Sequence, residues 1–338
     1  MVTTSSSRTE HGTPKHQPPP AVQAAGMIVA ITAVLAVLAL AFALPATRSG
    51  PHDVPVGIAG PDAAGGQLAD SLQHTAPGAF AVTYYPSEDA LSAAMLDREV
   101  YGGIALPTEP GAPATVLTAS GASPVVAQLI SQLGTQIGAH TGMPVQTRDL
   151  APLPTRDPRG AGLAAAALPI TLAGLLPAIA LVLVFRRQPG IQVAAAVAFA
   201  PVAGVTIAAL LRYPLGSIDE NFWRVAGALT LGIGAAVLFL LGLGSLFGKA
   251  GLAVGALLAL LVGNPLSGLA SAPEMLPAGW GQLGQLLPQG ATATLLRSTT
   301  AFGGAGATAP VAVLMCWVLA GAALIAVAAL RHRKAVSL

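Results

Sequence analysis

The sequence predicts an α-helical membrane protein: six transmembrane helices, with an extracytoplasmic α/β domain inserted between the first and the second. Three observations predict it. Hydrophobic residues make up 54% of the 338-residue chain and charged residues 9%, whereas a soluble domain carries about 25% charged residues. Apolar runs of membrane-spanning length occur once near the N-terminus and then repeatedly in the second half. Between them lies the polar stretch 45–160, punctuated by Gly and Pro. The formal charge is +2, with no basic block. The expected partner is therefore a lipid bilayer and no nucleic acid. A cytosolic enzyme and a disordered scaffold are excluded on the same composition.

Residues 1–24 are rich in Ser, Thr, Pro and His without apolar periodicity, and read as a disordered cytoplasmic tail. Ala25–Leu44 is uncharged and apolar over 20 residues, enough to cross roughly 30 Å of hydrocarbon as a helix. Ala41, Phe42 and Ala43 also fit a signal-cleavage pattern. A signal core is usually about 7–15 residues behind a short basic segment, and this core is longer, so an uncleaved first span is expected. Five further spans fill the domain 161–330: Gly162–Phe185, Ile191–Leu211, Val225–Phe247, Gly251–Leu269 and Pro310–Leu330. Pro169 and Pro177 should bend the second span, because each removes a helix hydrogen bond. The clean run of the fifth stops at Gly263-Asn264-Pro265, as in a broken helix whose freed backbone groups are satisfied inside the bundle. Residues 270–309 form an external segment, and 331–338 a cytoplasmic tail.

Lys and Arg near span ends set orientation. With the N-terminus inside, the inner side holds eight bases against the single acid Glu10, a balance of +7; the outer side balances at −5. Both termini are thus expected in the cytoplasm of a multi-pass plasma-membrane protein, with 45–160 outside. That stretch should fold. Val54–Ala59, Phe80–Tyr85, Val100–Leu106 and Ala114–Thr118 are β-prone and bounded by Gly or Pro. Ser87 followed by Glu88 and Asp89, and Ser123 followed by Pro124, are helix starts. Behind the second, Val126, Leu129, Ile130, Leu133 and Ile137 keep to one helical face. Strands alternating with helices argue a small α/β domain.

Catalytic chemistry is not expected. Cys316 is the single cysteine, so neither an intrachain disulfide nor a thiol metal site can form. The six His residues never fall at i, i+4. Gly242–Ala250 imitates a phosphate loop, yet Leu243 stands where Gly is needed and Ala250 where Ser or Thr is needed. No cofactor, metal or catalytic residue is expected. The span interiors lack ionisable residues, which argues against ion-driven transport. Any transport would draw its energy from a partner.

Segment order and two motifs resemble the permeases of type-2 ABC exporters, including their YhgE/Pip-like relatives. The first motif is Pro55–Ala59, Ser87–Leu96 and Tyr101–Pro107, similar to the family's strand, helix and strand; Ser123–Gly138 fits the same plan. The second is Gly263–Pro277, continuing through Leu286-Leu287-Pro288 to Leu295-Leu296-Arg297 and a Gly303-Gly304 turn, similar to the segment between the family's last two helices. The resemblance covers about 290 residues. It departs between the second and third spans, where Arg186-Arg187-Gln188-Pro189-Gly190 replaces the usual ATPase-contacting helix. The resemblance implies a permease subunit, working as a homodimer with a separate ABC ATPase, that exports an amphipathic or lipid-like substrate. The departure implies the alternative, a YhgE/Pip-like envelope protein without an ATPase whose outer domain binds a protein or cell-wall partner. Asn264, Glu274 and Arg297 are the candidate transport or structural positions, with the acid and base of the outer segment expected to cap helices facing water. Arg186 and Arg187 are the candidate cytoplasmic contact.

Overall fold

A computed structural model describes residues 19–109, 111–185 and 188–336. The N-terminal stretch 1–18 and the pair Arg186 and Arg187 lie outside the described residues. The chain divides into two units, 1–41 and 42–338. Helix α1 spans Pro20–Thr47, so helix begins inside the expected tail and runs past the expected span at both ends. It carries no charged residue, as a helix surrounded by hydrocarbon requires.

Within residues 42–338 the first layer is a mixed five-stranded sheet ordered β2-β1-β3-β4-β5. The strands are β1 Val54–Ala59, β2 Phe80–Tyr85, β3 Gly102–Ala105, β4 Ala114–Thr118 and β5 Val145–Asp149. All neighbours are parallel except β3 and β4. Parallel neighbours need crossovers, supplied by α2 Asp62–Thr75, α3 Glu88–Leu96 and α4 Pro124–Thr141. Ser87 Oγ accepts from the Ala90 N–H at 3.1 Å and Ser123 Oγ from the Val126 N–H at 3.4 Å, so both expected helix starts are capped.

Each face of the sheet carries its own core. Val54, Val56, Phe80, Ile104, Val116, Val126 and Ile130 form one; Leu91, Met95, Val100, Leu117 and Ala122 form the other. Both are completed by residues from far along the chain. Ala272 and Met275 enter the first core, and Ala301 and Phe302 pack on the second. The approach to β1 is tied to the same segment: Gly50 N–H donates to Met275 O and His52 N–H to Glu274 O, at 3.0 and 2.9 Å.

The rest is a helical assembly around α8. A short α5, Ala161–Ala165, precedes α6 Ala167–Val184; then follow α7 Pro189–Arg212, α8 Phe222–Leu257, α9 Trp280–Gln285, α10 Pro288–Ala301 and α11 Thr308–Val336. Asp157 accepts from the Ala161 and Gly162 N–H groups at the start of α5 and from Ser217 Oγ at 2.6 Å. This buried carboxylate fastens the chain leaving the sheet to the α7–α8 loop. Gln192 donates through Nε2 to the Phe185 carbonyl at 2.9 Å, closing the short α6–α7 connection.

Among the described residues five helical stretches are long and apolar enough to cross a membrane: Pro20–Thr47, Ala161–Val184, Pro189–Arg212, Phe222–Gly263 and Thr308–Arg331. The fourth is not straight. Gly248 sits at φ 62 and ψ −141, non-helical angles that glycine alone tolerates well. Beyond it the chain folds back: Gly255 faces Leu243 and Leu240, and Gly251 lies so close to the Leu243 carbonyl that a Cβ would collide with it. In a continuous helix residues 240 and 255 would stand about 22 Å apart. Residues 222–247 and 249–263 are therefore two antiparallel arms of a hairpin. The second arm ends in a π-helical turn, Leu258–Gly263, before Asn264 and Pro265, so helix stops short of the expected Leu269.

Candidate functional site

The segment after the second arm descends again along α8. Gly232, ten residues into α8 and so about 15 Å along its axis, packs directly on Thr292 of α10. The Leu286 carbonyl accepts from Trp317 Nε1 of α11 at 2.8 Å, and that indole meets Phe239 edge-on at 4.4 Å. At the other end of α10, Arg224 donates to the Gly303 carbonyl at 2.6 Å. α9 and α10 thus form a hairpin inserted among α6, α8 and α11, with its open end against the sheet and Leu286 exposed at its closed end.

Arg297 holds that open end together. Its side chain is buried, and Nη2 donates to the carbonyls of Gly268, Leu269 and Ser271 at 2.5, 2.9 and 2.7 Å. These carbonyls sit in irregular backbone and have no ladder to join. The expectation that Arg297 caps a helix facing water is therefore corrected: it faces the interior, because α10 is covered on all sides. Burial above all, with Arg98 adding to it and Tyr101 and Glu274 offsetting part of the fall, lowers its pKa to about 10. It stays a cation at neutral pH.

Glu274 sits on a single 3-10 turn, Pro273–Met275, and accepts from the Tyr101 hydroxyl at 2.7 Å. It is half-buried and faces the sheet domain, not bulk water. Burial first, then the Glu274 charge, push the Tyr101 hydroxyl well above its ordinary range, so it stays a protonated donor. The partner from the other side is Arg98. It follows α3 at φ 65, a left-handed position usually given to Gly. Its N–H bonds Met95 O and the next N–H, of Glu99, bonds Ala94 O, which ends α3 in a tight reverse. The turn aims its guanidinium out of the domain: Nη1 donates to the Thr294 carbonyl at 3.0 Å and to Ser298 Oγ at 2.6 Å, and the group lies 5.2 Å from the Phe302 ring centre. Burial lowers the Arg98 pKa, while Tyr101 and Glu274 counter it.

Comparison with family models, curated proteins and solved structures gives no match for this chain. Geometry alone must carry the argument.

Of the sequence-derived positions, Glu274 and Arg297 come together around Tyr101. Asn264 does not join them. It lies at the break after the second arm, where its Oδ1 accepts from Thr171 Oγ1 of α6 at 3.3 Å, and it shares a narrow crevice with Gln289 and Thr292. Thr171 also donates to the Ala167 carbonyl at 2.9 Å, so this polar patch satisfies backbone as well as itself. Arg186 and Arg187 lie outside the described residues. Arg98 and Tyr101 were not singled out as site residues. A signal existed for Arg98, a base just after a capped helix where Gly is usual, but the sequence does not say what it reaches. Among the described residues no group of His, Cys, Asp and Glu could hold a metal.

Proposed function

We propose that this chain is a membrane-embedded permease of the exporter type, with six crossings, both termini in the cytoplasm and the sheet domain outside. Five long apolar helices support a membrane protein. The bend at Gly248 supports counting the fourth stretch as two crossings, the second ending in the break at Asn264. Irregular backbone at membrane depth is tolerated where protein covers it or where it lines a cavity, and half-helices of this kind accompany transport paths. The observation that carries the reading is the inserted α9–α10 hairpin with the segment that leads into it. One end lies in the helical assembly beside the Asn264 break, while Ala272 and Met275 before α9 and Ala301 and Phe302 at the end of α10 complete the two cores of the outer domain. A movement of one end is passed to the other. The cargo is amphipathic or lipid-like, since the helices present Gly, Ala and Leu with no buried relay of charges across the spans. Energy comes from a separate ABC ATPase meeting the cytoplasmic turns, with Arg186 and Arg187 at the contact and a second copy of the chain completing the pore.

A second reading has its own observation. α6 ends at Val184 and α7 begins at Pro189, and Gln192 clasps the turn between them. That leaves little cytoplasmic surface for an ATPase, and favours an envelope protein whose outer domain binds a protein or wall partner. Purification from the native membrane separates the two. A stoichiometric ATPase, lost when Arg186 and Arg187 are replaced by Ala with topology retained, is expected for export. Recovery without an ATPase, from cells whose resistance to amphipathic compounds is unchanged by deletion, would put the second reading ahead.

A further inference from the structure

The junction between the outer domain and the α9–α10 hairpin encloses a cavity of about 200 Å³. Arg98, Glu99 and Tyr101 line it from one side, and Glu274, Thr294 and Phe302 from the other. Pockets for drug-sized ligands are about 300–1,000 Å³, so this one takes a smaller molecule or a headgroup. Its charged groups are only partly used. A guanidinium has five N–H groups; among the described residues the hydrogen bonds of Arg98 all leave from Nη1, and Nε and Nη2 meet no acceptor. Glu274 accepts from Tyr101 through Oε2, while its Oε1 and the Glu99 carboxylate meet no hydrogen-bond donor among the described residues. One wall thus offers N–H donors on a fixed cation, and free carboxylate oxygens stand on both walls, Glu99 beside that cation and Glu274 across from it.

We propose that this cavity binds a small zwitterion, its oxyanion on the free N–H groups of Arg98 and its primary ammonium between Glu274 and Glu99. A lone anion would meet the two carboxylates and a lone cation would meet Arg98, whereas a molecule carrying both charges satisfies all three. The planar guanidinium suits a carboxylate or phosphate, and the rings of Phe302 and Tyr101 cover the short carbon link between the charges. A free amino acid and the phosphoethanolamine head of a lipid share this chemistry. The site does not depend on transport: it needs only the docked outer domain.

The test is calorimetric titration of the full chain, purified in detergent and stripped of lipid, with O-phosphoethanolamine and with L-alanine. At least one should bind, and ethanolamine, inorganic phosphate and acetate should each bind at least tenfold more weakly. Binding of O-phosphoethanolamine that is competed by nanodiscs containing phosphatidylethanolamine, but not by phosphatidylcholine nanodiscs, assigns the lipid source; binding of L-alanine alone assigns the free molecule. Glu274→Gln keeps an acceptor for Tyr101 and should weaken the zwitterion at least tenfold. Glu99→Gln, at an exposed position, should weaken it severalfold and is a second readout if the first variant fails to fold. Absence of binding by either zwitterion to the folded wild type, or binding unchanged in Glu99→Gln, would overturn the proposal. Neither result bears on whether an ATPase accompanies the chain.

Discussion

The sheet domain and the segment 258–301 are built by opposite means. In the domain, regular hydrogen bonding and local signals suffice: five strands pair in order, and Ser87 and Ser123 start their helices with their own side chains. The segment 258–301 has a π turn, a 3-10 turn and the six-residue α9, none with a side-chain cap. Its loose carbonyls are satisfied by Arg297 acting 26 to 29 residues back, and Arg98 ties α10 to the sheet domain from 196 residues away. Regular elements carry their hydrogen bonds with them, while irregular ones borrow donors from elsewhere in the fold. The segment is therefore the more vulnerable of the two, and its donors are the residues to attack.

Arg297→Met breaks this contrast most severely. It leaves three buried carbonyls without a donor, at a cost of about 3–5 kcal/mol. Equilibrium unfolding in mixed micelles should show the loss, while Arg148→Met, which removes the exposed pair with Glu88 at 3.0 Å and an exposed 3.4 Å bond to Ser92 Oγ, should change stability by less than about 1 kcal/mol. Next comes Gly248→Val, which forces a β-branched residue into the hairpin bend at a cost of about 1–3 kcal/mol. Cysteine accessibility around residue 250 should be disturbed by it, whereas the sheet domain should be untouched. Arg98 separates backbone from side chain. Arg98→Ala loses the bonds to Thr294 and Ser298 and keeps the left-handed strain; Arg98→Gly loses the bonds but relieves the strain, and should be more stable than the Ala variant by about 1 kcal/mol.

A pH titration sharpens the comparison further. The pKa of Tyr101 is raised on folding, so its contribution is complete below the unfolded value near 10 and is lost as pH rises above it. Arg297 has a lowered pKa, so its contribution runs the other way and grows as pH climbs beyond about 10. The wild type should therefore lose stability as pH rises from 9 to 11, and Tyr101→Phe should flatten that loss, measured as melting temperature.

The sequence makes the regular region far more legible than the irregular one. β1, β2 and β4 fall on the residues where branched and aromatic runs sit between Gly and Pro, and α3 and α4 follow their serine caps. Two elements escape that reading. α2 begins behind Pro61 without a capping side chain and contains Gly65 and Gly66, so it lacks both a start signal and propensity. β5, Val-Gln-Thr-Arg-Asp, is a largely exposed edge strand with no apolar alternation. In the irregular region, the break at Gly263-Asn264-Pro265 is visible because Pro and Gly punctuate any chain. The burial of Arg297 is not visible: α10 is polar in composition, Pro-Gln-Gly-Ala-Thr-Ala-Thr-Leu-Leu-Arg-Ser-Thr-Thr-Ala, and reads as a water-facing helix until its neighbours are in place. The same holds for Arg98 and Tyr101, whose partners lie about 170 to 200 residues away.

The sheet domain and the segment 258–301 are energetically joined at their junction. A double-mutant cycle on Tyr101→Phe and Glu274→Gln tests this most directly, because their 2.7 Å hydrogen bond is a side-chain contact between the two regions. Unfolding of the wild type, both single variants and the double variant in the same micelles should give a coupling energy of at least about 1 kcal/mol. Strict additivity, with the two losses summing to that of the double variant, would contradict the claim that the two regions are held as one.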